Sequence, residues 1–202
     1  MYKRIILLLL GFLIIGFSVA TLRFIDLGMD PFGAMTLGLA ESFRITFGTV
    51  MMVVQVLLFI AVATKRRDLV GIGTIIGMFG IGYIVDGLYL LMNITIEGNI
   101  TLAIRLVVLI AILIVVSFGV SLVITANLGL IPYDALGLVI EDVTTGKLKF
   151  NWVRMGTDAF CAVIAFLLGA PIGIATFMTV FMIGPFVNFF KNKVGKIVRI
   201  AV

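Results

Sequence analysis

Few side chains within the apolar stretches of this 202-residue sequence can do chemistry. Asp158 lies near the middle of one stretch, and Arg154, four residues earlier, puts a cation on the same helical face. Gln55, Asp86 and Asn188 are further polar groups inside such runs. An ionisable group in a lipid-spanning helix costs about 2.5 to 3.5 kcal/mol on insertion scales, so it usually faces the bundle interior or a watery path. The five together describe a site for a small solute or ion. The competing reading is structural, with Arg154 and Asp158 as an ion pair and Gln55 and Asn188 as interhelical glue. Such bonds average only about 0.6 kcal/mol in a membrane bundle, a weak return on the insertion cost. Catalysis fits less well. The chain has no His and one Cys, Cys161, within an apolar run. Neither a His/Cys metal site nor an intramolecular disulfide is available, and no acid pair stands at an evident acid–base spacing. The expectation is a protein that is not an enzyme and carries no cofactor.

The elements that position these residues follow from composition. Hydrophobic residues make up 62% and charged residues 12%, and the mean hydropathy is +1.31. That is more apolar surface than one soluble core can hide, which makes the lipid bilayer the solvent. Runs near the span length occur at about 5–24, 47–64, 69–92, 102–125, 152–168 and 171–190, giving six expected transmembrane helices. Segments 31–41 and 132–142 each open on a proline suited to a helix first turn and are too short to cross. As half-helices they would aim a partial positive charge at an anion or a polarised carbonyl, with Asp30 and Asp134 as alternative caps. Glu41, Glu141 and Asp142 at the far ends favour instead an amphipathic connector lying in the interface. Pro185 is expected to kink or break the last helix just before Asn188. Gly73, Gly77, Gly80 and Gly87 share one face of the third run and read as a close-packing surface.

An internal repeat organises the chain. LGMDPFGAMTLGL (27–39) aligns with LGLIPYDALGLVI (128–140), pairing Gly28 with Gly129 and Pro31 with Pro132. GIGTIIGMFGIGYIVD (71–86) aligns with GIATFMTVFMIGPFVN (173–188), and Phe47 and Gln55 align with Phe150 and Asp158. Phe17 and Val19 match Phe118 and Val120, so the first apolar run reads as structure despite imitating a signal peptide. The expected fold is all-α, with two inverted three-helix repeats at 1–92 and 102–190, each with a proline-led half-helix, and a basic tail at 191–202. Three spans per repeat reverse the second copy in the membrane. Gln55 with Asp158, and Asp86 with Asn188, then become half-sites related by a pseudo-twofold axis near the midplane.

Charge gives the orientation. Lys3, Arg4, Lys65, Arg66, Arg67, Lys147, Lys149, Arg154, Lys191, Lys193, Lys196 and Arg199 fall on the side of the N-terminus, against Arg23, Arg44 and Arg105 on the other. The positive-inside rule therefore places both termini in the cytoplasm. The basic residues are scattered between apolar runs rather than gathered on one patch, which argues against a nucleic-acid partner.

The LG-x-x-P-aromatic segment, FGTV at 47–50 and GIGTIIGMFGIGYIVDGL at 71–88 resemble the YczE/YitT-like group of bacterial integral membrane proteins across essentially the whole chain. That resemblance implies a bacterial plasma-membrane protein of this size and no settled substrate. Many relatives carry Trp-Asp after the proline, where this chain has Phe32-Gly33 and Tyr133-Asp134. No G-x-x-x-x-G-K-[ST] motif is present, so transport would draw on an ion gradient, a separate ATPase or no energy source. The functional expectation is a small-molecule or ion permease. The alternative is a non-transporting regulator or assembly factor that binds a membrane protein or a second copy of itself, through the bilayer or through the Lys65-Arg66-Arg67 loop and the tail.

Overall fold

The computed structural model describes residues 1–96, 100–148 and 150–198. Its elements are α1 (Tyr2–Ile25), α2 (Pro31–Phe43), α3 (Phe47–Lys65), a 3₁₀ turn (Arg67–Leu69), α4 (Ile72–Thr95), α5 (Leu102–Ala126), α6 (Pro132–Val143), α7 (Phe150–Leu167) and α8 (Ile174–Val198). The described residues are all-helical. Five helices, α1, α3, α4, α5 and α8, are long and apolar enough to cross a membrane. The sequence reading counted six. The difference is α7, which has 18 residues and carries Arg154 and Asp158 in its first half. Exposed apolar side chains are abundant, among them Val107, Phe166, Phe177 and Phe181, as expected where lipid covers the surface.

The centre of the bundle is α1 against α5, with α4 on the outside of α1 and α8 on the outside of α5. Gly11 and Gly119 allow the central crossing: a Cβ on Gly11 would lie 2.9 Å from the Gly119 carbonyl oxygen, and small residues let membrane helices approach this closely. Both helices end on a residue in the left-handed region, Asp26 and Asn127. Two residues later Gly28 and Gly129 have φ of 102° and 107°, a conformation that favours glycine.

These two turns dock on the opposite half of the chain. The Leu27 carbonyl accepts from Ala175 N at 3.0 Å, and the Leu128 carbonyl accepts from Gly73 N at 2.8 Å. A Cβ on Gly28 would lie 2.6 Å from Gly173 N, and one on Gly129 would lie 2.6 Å from Gly71 N. The loop before each short helix thus caps the start of a long helix from the other half, joining the halves by main-chain bonds at equivalent positions.

The first three turns of α2 are internal, whereas α6 alternates buried and half-exposed residues. Pro31–Gly38 are all buried, and α2 lies along α7 while α6 lies along α3. An amphipathic connector at the interface would keep one face exposed, which α2 lacks. Pro185 does not break α8, which runs on through it. Of the glycines on α4, Gly73 and Gly77 meet neighbours, whereas Cβ atoms on Gly80 and Gly87 would meet no described atom within 4 Å. The basic tail begins as a continuation of α8; Lys149 and residues 199–202 lie outside the described residues.

Candidate functional site

The N-termini of α2 and α6 meet inside the bundle. Phe32 and Tyr133, the second residue of each helix, stack with ring centroids 4.2 Å apart and planes 23° from parallel. Proline at each first position costs no hydrogen bond, because that N–H has no intrahelical acceptor. The partial positive charge of each N-terminus already has a protein partner. Asp30 caps α2 by accepting from Gly33 N at 2.9 Å. On α6, Gln55 Oε1, from α3, accepts from Tyr133 N at 3.2 Å. The anion site that half-helices could have offered is therefore filled from within.

Beside this junction lies a cavity of ≈ 380 Å³ between α5, α6, α7 and α8. Its polar wall is Asp30, Asp134, Arg154, Asp158 and Thr179; its apolar wall includes Val120, Ile124, Phe150, Ile183 and Val187. The Arg154 guanidinium ties the acids together, donating to Asp134 Oδ1 at 2.6 Å and to Asp158 Oδ2 at 3.3 Å. It also stands 4.6 Å from the centroid of the Tyr133 ring. The Tyr133 hydroxyl donates to Asp158 Oδ1 at 2.6 Å, a short charge-assisted bond, and lies 3.7 Å from Cys161 Sγ. Asp158 is 9% exposed. Two carboxylates, Asp134 and Asp158, share one guanidinium at the wall of the cavity, and a third, Asp30, lines it beside them.

The sequence-predicted residues divide into two groups. Asp158, Arg154, Asp30 and Asp134 line the cavity and Pro31 lies at its wall, while Gln55 stands behind it, holding the main chain of Tyr133. Gly28, Gly129 and Pro132 build the turns and helix start beneath it. Asp86 stands elsewhere. Its Oδ2 accepts from Gly48 N at 2.6 Å, and its Oδ1 accepts from Arg23 at 3.2 Å. Arg23 in turn lies 4.0 Å from the Tyr89 ring centroid and 5.8 Å from that of Phe47. Asn188 is exposed on α8 and makes no hydrogen bond among the described residues. Among groups not singled out from sequence, Tyr133 contributes most, because it touches Asp158, Arg154 and Phe32 and its main chain holds Gln55. Its position after a repeated proline was visible; that its hydroxyl would reach α7 was not.

A family model covers residues 2–192. The chain belongs to DUF6198, a family of unknown function. The match carries that name rather than the YczE/YitT-like one to which the motifs pointed. No curated protein matches the DUF6198 chain, and no solved structure does.

Proposed function

We propose that this DUF6198 protein is a transporter of a small solute or ion, built as two inverted repeats with its site at the Asp30, Asp134, Arg154 and Asp158 cavity. The observation that carries the reading is an asymmetry between equivalent helix pairs. Among the described residues α3 is packed against α4, whereas α7 and α8 lack a comparable contact and the cavity lies between them. Phe47, Ile81 and Val85 are buried in the first pair; their aligned counterparts Phe150, Ile183 and Val187 line the cavity in the second. One half sealed and the other open is what alternating access between inverted repeats requires.

The inverted arrangement draws support from the reciprocal docking of the two glycine turns and the stacking of Phe32 on Tyr133. On this reading α7 is the sixth span, roughly 27 Å long at the helical rise, with its charges turned to the cavity. The membrane is the bacterial plasma membrane with both termini cytoplasmic, as the Lys/Arg distribution favours, and the cavity then opens on the cytoplasmic side near Phe150.

Charge narrows the cargo. Asp30, Asp134 and Asp158 against Arg154 leave a formal excess of negative charge, and an uncompensated charge in a low-dielectric interior is costly. A cationic solute, or protons carried on the acids, restores the balance.

The test is flux into proteoliposomes under an imposed pH gradient, across a panel of amines, inorganic cations and anions, for wild type and Asp158→Asn. Uptake of a cation that the variant loses supports the reading. No flux of any solute, with a stoichiometric membrane partner recovered instead, would sink it in favour of the regulator or assembly factor.

A further inference from the structure

The seal between α3 and α4 is built from identifiable parts. A Cβ on Gly82 would fall 2.7 Å from Gly48 Cα, and one on Gly48 would fall 2.8 Å from the Gly82 carbonyl carbon, so both backbones require glycine to touch. Four residues past Gly82, Asp86 accepts from Gly48 N and thereby ties α4 to the first turn of α3. Arg23, on α1, locks that carboxylate from the other side.

In the aligned sequence Gly184 occupies the place of Gly82, and Asn188 the place of Asp86. A Cβ on Gly184 would meet no described atom within 4 Å. Glycine inside a helix weakens it relative to alanine, and nothing packed on Gly184 here offsets that. Asn188 carries a side-chain oxygen able to accept the same kind of main-chain bond. Asn151 stands where Gly48 does, which leaves Gly184 as the small residue of the second crossing. Arg23 aligns with Ile124, so the second crossing has no counterpart of the Arg23–Asp86 pair.

We infer that Gly184 and Asn188 form the second gate of the transporter: α8 closes on the first turn of α7 through these residues while α3 and α4 part and the Arg23–Asp86 pair breaks. The inference rests on the transport reading and names its moving parts. The ion pair makes the observed arrangement the resting one, because only the N-terminal seal carries charge.

The experiment uses the full chain in nanodiscs and a polar maleimide, with single reporters Ile81→Cys and Ile183→Cys. Cys161 is 4% exposed and serves as the protected background. In the otherwise unaltered protein the reporter at 183 reacts and the one at 81 is shielded. Asp86→Asn should raise labelling at 81 about tenfold, the scale of a one to two kcal/mol change, and lower labelling at 183. Arg23→Met, which keeps the Gly48 bond, should give the same reciprocal change and replaces Asp86→Asn if that variant does not fold. Adding Gly184→Leu should abolish the fall at 183. Labelling that rises at both positions or moves at neither, or a fall at 183 that survives Gly184→Leu, overturns the gate. Because labelling needs no solute, reciprocal changes without flux retire the transport reading alone, and flux without reciprocity retires this one alone.

Discussion

The two halves of the chain share a sequence pattern and use it differently. In the N-terminal half the position on α3 equivalent to Asp158 is Gln55, which is 2% exposed and neutral, and the aromatic after the proline is Phe32. In the C-terminal half the same positions hold Asp158 and Tyr133, joined by a hydrogen bond and flanked by Arg154, where the N-terminal half has Met51. The first half spends its one internal ion pair, Arg23 with Asp86, on a helix seal; the second gathers its charges around a cavity. The comparison teaches that one sequence pattern can end in a closely packed helix pair or in a charged cavity, according to the residues at a few facing positions.

The sharpest way to break the comparison is at the two aligned glycines. Gly82→Leu drives a branched side chain into the α3 backbone and should destabilise the fold by about 1 to 3 kcal/mol, the usual range for overpacking. Gly184→Leu should stay within about 0.5 kcal/mol, as a substitution facing open space does. Thermal denaturation in detergent reads both, and equal losses would mean that the halves are sealed alike. Next in size, Tyr133→Phe removes a hydrogen bond to a charged group, worth about 1.5 to 3 kcal/mol. It should lower flux by roughly tenfold or more, while Phe32→Leu should cost stacking and little flux. If the two variants lose flux equally, the chemistry is not confined to the C-terminal half.

Arg154→Met leaves Asp134 and Asp158 without their cation. It should lower stability by about 1 to 2 kcal/mol, well below the buried-pair range because the side chain is 35% exposed. The loss should shrink as pH falls, since protonation removes the unbalanced charge; a pH-independent loss would mean packing alone. Smallest is Arg66→Ala in the loop after α3, where Arg66 pairs with Asp68 and Asp142. Exposed pairs contribute little and are screened by salt, so the effect should vanish in high salt. The Arg66 contact holds the Asp68 carboxyl below its ordinary range. The contribution of that contact is present above the ordinary carboxylate pKa of about 4 and is lost as pH falls through the lowered value.

Helix positions were legible in the sequence because apolar length, proline and glycine act locally. Starts at Pro31, Phe47, Leu102 and Pro132 coincide in the two readings. Asp158 with Arg154 was legible too, because a four-residue spacing on a helix fixes proximity whatever surrounds it. Asp86 was not. Its polarity suggested a place beside Asp158, but its neighbours, Arg23 and Gly48, come from helices far away in sequence. Asp30 and Asp134 read as caps or half-helix residues, and only Asp30 caps; Asp134 turns to Arg154.

By itself the sequence determined that the chain is helical, that lipid surrounds it, and that two copies of one pattern follow each other, since these depend on composition, short-range spacing and self-similarity. Tertiary structure alone decided that the N-termini of the short helices meet at Phe32 and Tyr133, that α3 touches α4 while α7 stands off α8, and that Asp134 and Asp158 share one guanidinium. Those outcomes depend on which distant backbones approach within a few ångströms, a distance that no local pattern encodes.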